Sequence, residues 1–295
     1  MSFRSNALLL PCAALLSLVA CAKPDAGTVA DSAAPAAAAA PSSVEPTIIT
    51  VVARDYTYDA PDTITAGLVS LRLLNKGPEM HHIQLLRFKD GKTYADFAAG
   101  MKDMKPEAPM PPWVELVVGP NAPADTTNGQ VVTQELVPGS YALLCVIPSP
   151  DGMPHFAKGM VQPLTVIPAT GPAATVPAAD IKVVMSDYAW DVQPVITAGK
   201  HTVRLENAAE QAHEMLIVKL APGKTATDFV NWTMKMQGPP PAMPMGGSTA
   251  MGKGGVAYLP IDLAPGEYAL ICFIPDAKDG KPHVAHGMVK SFTVS

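Results

Sequence analysis

Gly139-Ser140-Tyr141-Ala142-Leu143-Leu144-Cys145 recurs further along the chain as Gly266-Glu267-Tyr268-Ala269-Leu270-Ile271-Cys272. Each stretch follows a proline, begins at a glycine and ends an apolar run on a cysteine, as a β-strand after a turn does. Upstream, Asp55-Tyr56 matches Asp187-Tyr188 and Asn75 matches Asn207. The 295-residue chain therefore contains an internal repeat. Each copy spans roughly 115–120 residues, which is enough to bury its own core.

Each copy also carries one histidine early, then a second histidine and a methionine after the cysteine. The two sets are His81, Cys145, His155 and Met160, and His213, Cys272, His283 and Met288. A thiolate, two imidazoles and a thioether are a ligand set typical of a mononuclear copper site. Because the whole set recurs at matching positions, we predict one copper ion in each repeat and two in the chain. The alternatives are hydrogen-bonded histidines, inert buried thiols and methionines that only fill the core.

Short β-branched and apolar segments separated by Gly and Pro turns predict an all-β fold. The predicted strands are 48–53, 69–73, 83–88, 131–136, 141–146, 161–167, 181–185, 202–205, 215–220 and 289–294. The strands on either side of Pro138-Gly139 are predicted to form a hairpin. Thr93-x-x-Asp96 and Thr225-x-x-Asp228 are typical of helix starts. The pattern therefore predicts two tandem Greek-key β-sandwiches, each with one short helical insertion.

The N-terminus has the features of a bacterial export signal. Arg4 precedes an apolar run that is too short to span a membrane, and Leu18-Val19-Ala20-Cys21 resembles a lipobox. We therefore predict a lipoprotein signal peptide over residues 1–20, with Cys21 as the lipidated residue that holds the chain to the membrane. Ala22 after the cysteine favours the outer membrane, facing the periplasm. The alternative is an ordinary signal peptide cut near Ala20 or Ala22.

The rest of the chain divides by composition. We predict an Ala/Pro-rich tether over 21–46, a first domain over 47–168, a linker over 169–179 and a second domain over 180–295. After removal of the signal and lipidation of Cys21, one cysteine remains in each repeat. A disulfide within a repeat is therefore excluded, and one between the repeats is conceivable but geometrically demanding, whereas a metal–thiolate role explains both thiols. The formal net charge of −5 argues against nucleic acid as a partner.

A sandwich with His on one strand, followed by Gly-x-Tyr-x-x-x-Cys, His and Gly-Met, resembles the cupredoxins, the plastocyanin and azurin family. The resemblance covers most of 47–168 and 180–295. It implies a near-trigonal plane of two His and one Cys with Met as a weak axial ligand. Two features depart from that family: the segment between Cys and the second His is long, at 146–154 and 273–282, and His82 or Glu214 stands where the family has an Asn that ties the ligand loops together.

These features favour a lipid-anchored protein that transfers electrons to or from a redox or copper-exchange partner, through a ligand His near the surface. A copper storage or delivery protein without a redox role is the alternative, as is a metal-free, partner-binding sandwich. The Met-rich loops offer soft thioethers for Cu(I), although a flexible lid or docking face is the favoured interpretation. Their methionines are Met101, Met104, Met110, Met234, Met236, Met243, Met245 and Met251. Without the His-x-His pairs of multicopper oxidases, we expect no enzymatic activity. The sequence does not specify an oligomeric state.

Overall fold

The first repeat is built from short strands rich in β-branched and apolar residues. A computed structural model describes residues 44–101, 110–126 and 128–295. The signal peptide, Cys21, most of the tether and Met104 lie outside the described residues. In chain order the elements are β1 (Thr47–Arg54), β2 (Thr57–Asp59), β3 (Thr63–Thr65), β4 (Gly67–Asn75), β5 (His81–His82), β6 (Gln84–Phe88), α1 (Tyr94–Met101), β7 (Val114–Val117), β8 (Pro120–Ala122), β9 (Gln130–Leu136), β10 (Gly139–Leu144) and β11 (Val161–Ile167).

The second repeat follows the same plan. Its elements are β12 (Ile181–Ser186), β13 (Ala189–Gln193), β14 (Gly199–Asn207), β15 (His213–Leu220), α2 (Ala226–Thr233), β16 (Ala242–Met251), β17 (Val256–Leu263), β18 (Gly266–Ile271) and β19 (Val289–Val294). The all-β fold class is confirmed. Among the residues described, no helix combines the length and the apolar character needed to cross a membrane.

Three sheets form two sandwiches. An eight-stranded sheet runs through both repeats in the order β13-β12-β14-β17-β9-β4-β1-β2. The other sheets have the orders β3-β11-β10-β6-β7 and β19-β18-β15-β16-β8-β5. In the first repeat, Val51 and Leu71 of the large sheet pack in one apolar core with Leu85 and Leu143 of the five-stranded sheet. Alternate residues of these strands therefore face a shared interior, as in sandwiches generally.

The predicted hairpin at Pro138-Gly139 was wrong. Strand β9 pairs with β4 and β17, whereas β10 pairs with β6 and β11, so the chain crosses from one sheet to the other at this turn. The Tyr141 hydroxyl donates to the Val137 carbonyl at 2.8 Å, and the Tyr268 hydroxyl donates to the Ala264 carbonyl at 2.8 Å. This contact is a tyrosine corner, which holds a crossover between sheets in a sandwich. The sequence motif was right about the strand and the turn but not about the pairing.

One short helix covers the outer face of each smaller sheet. Thr225 caps α2 through a capping box with Asp228, and Thr93 and Asp96 make the same contacts at α1. Phe97 of α1 stacks on Phe88 of β6 with ring centroids 5.3 Å apart. Both predicted helix starts are confirmed, and each helix buries an apolar surface that its sheet would otherwise expose.

The two repeats share backbone pairing and lie in one compact unit. Strand β8 of the first repeat pairs with β16 of the second, and β9 pairs with β17. The buried Thr249 hydroxyl accepts from the Gly119 N–H at 2.7 Å and donates to the Ile83 carbonyl at 3.1 Å. The eight-stranded and the six-stranded sheets therefore each contain strands of both repeats.

Candidate metal centres

The first centre forms where three chain segments meet at one end of the first sandwich. His81 opens β5, Cys145 follows β10, and His155 opens a 3-10 turn over His155–Lys158. All three side chains are 0% exposed, and their ligand atoms lie within 4.8 Å of one another. The Nδ1 atom of His155 lies 3.0 Å from Nδ1 of His81 and 3.4 Å from Sγ of Cys145. The two histidines and the cysteine of the predicted set therefore converge on one buried point.

The second centre repeats this arrangement. His213, Cys272 and His283 are each 0% exposed, and their ligand atoms also lie within 4.8 Å of one another. The Cys272 Sγ is 3.8 Å from Nδ1 of His213 and 3.5 Å from Nδ1 of His283. In both centres, therefore, the Nδ1 atoms face the sulfur and the Nε2 atoms point away from it.

The outer ring atoms of the histidines are held by acidic or amide side chains. In the first centre, Nε2 of His81 lies 2.8 Å from Asp55 Oδ1 and Nε2 of His155 lies 2.9 Å from Glu79 Oε2. Because a carboxylate only accepts, each Nε2 carries the proton, and the Nδ1 lone pairs face inward. Two such lone pairs 3.0 Å apart repel each other unless a cation or proton lies between them. This tautomer is the one that binds a metal through Nδ1.

In the second centre, the side chains that contact the Nε2 atoms of the histidines are similar to those of the first centre but not identical. Nε2 of His213 lies 3.0 Å from Asp187 Oδ1. Nε2 of His283 lies 3.4 Å from the amide oxygen of Gln211 and 3.9 Å from Asp276 Oδ2. His283 thus meets an amide where His155 meets a carboxylate.

Burial sets the protonation states of the candidate ligands. Desolvation lowers the pKa of His81, His213 and His283, so that their neutral, ligating forms are favoured. Desolvation likewise raises the pKa of Cys145 to about 11 and that of Cys272 to about 12, against weaker opposing hydrogen bonds. A buried thiol of this kind loses its proton when a metal binds it. Soft sulfur with two imidazoles fits copper, so the residues present suit the ion that the sequence predicts.

Met160 and Met288 lie beside the cysteines. Both are 0% exposed, and each carbonyl accepts the backbone N–H of its cysteine, at 3.2 Å for Met160 and 3.3 Å for Met288. Their N–H groups in turn donate to the His155 and His283 carbonyls at 3.0 Å. The backbone thus links the second His, the Met and the Cys, while the axial role of the methionines stays a prediction.

The long segment between Cys and the second His folds back on itself. In the first repeat, Pro148 and Pro154 form an isolated antiparallel β-bridge. The N–H of His155 donates to the Ile147 carbonyl at 2.9 Å. The N–H of Phe156 donates to the Cys145 carbonyl at 2.8 Å. The second repeat closes in the same way, with a bridge between Pro275 and Pro282. The extra residues form a loop whose two ends pair with each other. The length of the segment therefore does not separate the cysteine from the second histidine.

His82 and Glu214 tie the ligand loops together in place of the Asn of the cupredoxins. Nε2 of His82 accepts the N–H of Val146 at 2.9 Å, and Oε1 of Glu214 accepts the N–H of Phe273 at 2.9 Å. These donors directly follow the two cysteines. His82 thus has a structural role that the sequence did not reveal.

Sequence reasoning missed the residues that hold the histidines. Asp55 and Asp187 recur at equivalent positions of the repeat, and this recurrence could have indicated a role at the site. In the sequence prediction it served only as evidence for the repeat. Glu79 and Gln211 differ between the copies and gave no such signal. All four candidate histidines are 0% exposed, and the acceptors lie at their outer edges. Electron transfer through a ligand His near the surface stays a prediction.

The methionines of the predicted Met-rich loops differ in exposure. Met234, Met236 and Met243 are 77%, 59% and 65% exposed, whereas Met251 is 2% exposed in the core of the second repeat. His286 is exposed and contacts Asp279 at 3.1 Å. It lies outside the second His/Cys/His cluster.

No family model and no curated protein matches the chain. Solved structures do match. Reduced auracyanin from the photosynthetic bacterium Roseiflexus castenholzii is 25% identical, and the match covers 39% of this chain and 94% of that one, with a TM-score of 0.29. A multicopper oxidase is 17% identical over 85% of this chain and 89% of its own length, with a TM-score of 0.23.

The expectation of no enzymatic activity was wrong. The similar solved structures include enzymes, namely the multicopper oxidase and a Cu-containing nitrite reductase from Thermus scotoductus SA-01. The reductase is 11% identical over 85% of this chain and 62% of its own, with a TM-score of 0.21. The missing His-x-His pair concerns one arrangement of copper ions and does not exclude an enzyme.

Proposed function

We propose that the chain is a copper-binding protein with one type 1-like mononuclear site in each repeat, and that it serves electron transfer. The observation that carries the proposal is the convergence of two buried Nδ1 atoms and one buried Sγ, repeated in both halves. His81, Cys145 and His155 would hold one ion, with Met160 as the axial ligand. His213, Cys272, His283 and Met288 would hold the other. Copper at such a site supplies a one-electron couple.

The protein's own residues supply a rigid, dry site. The carboxylates that bond the Nε2 atoms fix the ring orientation of the histidines. The hydrogen bond that His82 or Glu214 accepts fixes the backbone directly after the cysteine. Since all the ligand side chains are buried, water is excluded from the ligand atoms. A site that is already ordered has little to rearrange between oxidation states, which favours electron transfer.

The test is copper loading of the soluble fragment that begins at Glu45. We expect about two copper ions per chain and an intense colour from thiolate-to-copper charge transfer, in keeping with a thiolate ligand in each repeat. Cys145→Ser and Cys272→Ser should each remove one ion and part of the colour, and the double variant should remove both. A protein that binds no copper after Cu(II) loading would disprove the proposal.

The exposed methionines favour a second candidate, copper storage or delivery. Met234, Met236 and Met243 present thioethers to solvent, and thioethers select Cu(I). Delivery predicts tight Cu(I) binding without the charge-transfer colour, and it predicts that replacing these three methionines with leucine slows copper transfer to a Cu(I) chelator. Unchanged transfer in that variant would leave electron transfer as the better function.

We also propose that the mature chain carries lipid on Cys21 and lies on the periplasmic face of the outer membrane. The lipobox-like Leu18-Val19-Ala20-Cys21 supports this, as does the tether over 21–46 ahead of domains over 47–168 and 180–295, joined by the linker over 169–179. Mass spectrometry of the membrane-extracted protein should find an acylated N-terminal cysteine. Cys21→Ala should release the protein from the membrane fraction.

A further inference from the structure

The two centres differ at one pair of equivalent positions behind the second histidine. Glu79 and Gln211 both lie four residues after a repeat-matched asparagine, Asn75 or Asn207, and two residues before the first ligand histidine. Glu79 bonds His155 through a carboxylate oxygen at 2.9 Å and accepts the Tyr56 hydroxyl at 3.0 Å. Gln211 offers His283 an amide oxygen at 3.4 Å.

A second difference compensates the first. Ser149 lies four residues after Cys145, and its buried hydroxyl has no hydrogen-bond partner among the described residues. The equivalent position after Cys272 is Asp276, whose carboxylate accepts the Tyr188 hydroxyl and the Gln211 amide N–H, the latter at 3.0 Å. Each centre thus has one carboxylate behind its second histidine, Glu79 or Asp276, but the two come from different segments of the chain.

Of these two carboxylates, only Glu79 hydrogen-bonds the second histidine of its centre. Asp276 lies 3.9 Å from Nε2 of His283. The Asp276 carboxylate is also used by the N–H groups of Lys278 and Asp279, at 2.8 and 3.3 Å. Four donors therefore share its charge, and the amide oxygen of Gln211 is nearer to Nε2 of His283, at 3.4 Å.

We infer that Glu79 and Gln211 are positioning residues that tune the two copper centres differently. A carboxylate bonded to Nε2–H makes the imidazole a stronger donor through Nδ1, and this stabilises Cu(II) more than Cu(I). A neutral amide does so less. Glu79 therefore lowers the reduction potential of the first centre relative to the same centre with Gln, and Gln211 raises that of the second relative to Glu. The inference rests on the proposed function, in which His155 and His283 are copper ligands.

The experiment uses single-site proteins, so that each potential belongs to one centre. Cys272→Ser keeps only the first centre and Cys145→Ser keeps only the second. Glu79→Gln in the first background should raise the potential, and Gln211→Glu in the second should lower it. We expect a change of about tenfold in the ratio of Cu(I) to Cu(II) affinity, which is about 59 mV for one electron.

Matched controls carry the same charge changes on exposed positions, Glu135→Gln in the first background and Gln237→Glu in the second. Chelator competition with Cu(I) and Cu(II) gives the affinity ratio independently of an electrode response. Opposite shifts in the two swaps, larger than in the controls, support the inference. Shifts no larger than the controls, or in the same direction, overturn it while copper still binds. If the single-site parents bind no copper, the proposed function itself fails.

Discussion

His82 and Glu214 make the same hydrogen bond with different chemistry. Burial lowers the pKa of His82 to about 3, so its imidazole is neutral and accepts from Val146 throughout the physiological range. Burial raises the pKa of Glu214 to about 7, against the bond from Phe273 that lowers it. The two side chains therefore change the free energy of unfolding with pH in opposite directions.

Glu214 is expected to make the metal-free protein less stable as pH rises from about 4.5 to 7. Over that range the folded state keeps a proton that the unfolded state releases, so the free energy of unfolding falls, by about 3 kcal/mol. Glu214→Gln should remove this slope, as measured by denaturant unfolding at several pH values. The idea fails if the variant and the parent protein change in parallel with pH.

His82 is expected to act with the opposite sign. Between pH 6.5 and about 3 the unfolded state binds a proton that the folded state excludes, so stability is lost as pH falls through this window. His82→Gln keeps an acceptor for the Val146 N–H but does not titrate, and it should flatten the acid side of the stability profile. A profile that stays steep in His82→Gln would assign the slope to other groups.

Asp55 and Asp187 hold the first ligand histidine of each centre, and their removal should weaken copper binding without abolishing it. Loss of a partner behind a metal-bound histidine costs about 10- to 100-fold in affinity. Asp55→Asn and Asp187→Asn should show this loss in chelator competition. Asp59→Asn, an exposed change of the same charge, is the control and should leave the affinity unaltered.

At the level of elements, the crossover between sheets depends on a buried tyrosine in each repeat. The rings of Tyr141 and Tyr268 are 1% exposed, and their hydroxyls close the arches before β10 and β18. The sequence places these tyrosines correctly in Gly-x-Tyr, yet the same Pro-Gly turn suits a hairpin or an arch. Pairing is decided by which sheet buries each strand, and periodicity within one strand does not carry that information.

Tyr141→Phe and Tyr268→Phe keep the buried ring and delete only the hydroxyl. Each should lower the free energy of unfolding by about 1 kcal/mol, the usual net value of one hydrogen bond. Tyr94→Phe on α1 is the matched control, since its hydroxyl makes no hydrogen bond with the described residues. Equal losses in all three variants would show that the corner contributes nothing particular.

At the level of the whole molecule, the repeat predicted two sandwiches and the residues of both His/Cys/His clusters, because side-chain chemistry and strand pattern are local in sequence. The union of the sandwiches was not predictable in this way. It depends on edges of β8 and β9 that meet β16 and β17 from a distant part of the chain, and on Thr249, which has no distinctive motif. The difference between Glu79 and Gln211 was equally hidden, because its meaning comes from the histidine that each one meets in space.

Because the eight-stranded and the six-stranded sheets contain strands of both repeats, the two sandwiches are expected to unfold together. Calorimetry of the metal-free fragment should show one transition whose calorimetric and van't Hoff enthalpies agree. Thr249→Val removes the hydroxyl that serves Gly119 and Ile83 and leaves two buried backbone groups unpaired, at a cost of about 2 kcal/mol. That corresponds to a fall in melting temperature of roughly 4 to 8 °C for a unit of this size. Thr233→Val, on the outer helix α2, is the control. Two separate transitions in the unaltered protein would contradict the prediction and would mean that the repeats fold independently, with the shared strands adding little to the stability of either.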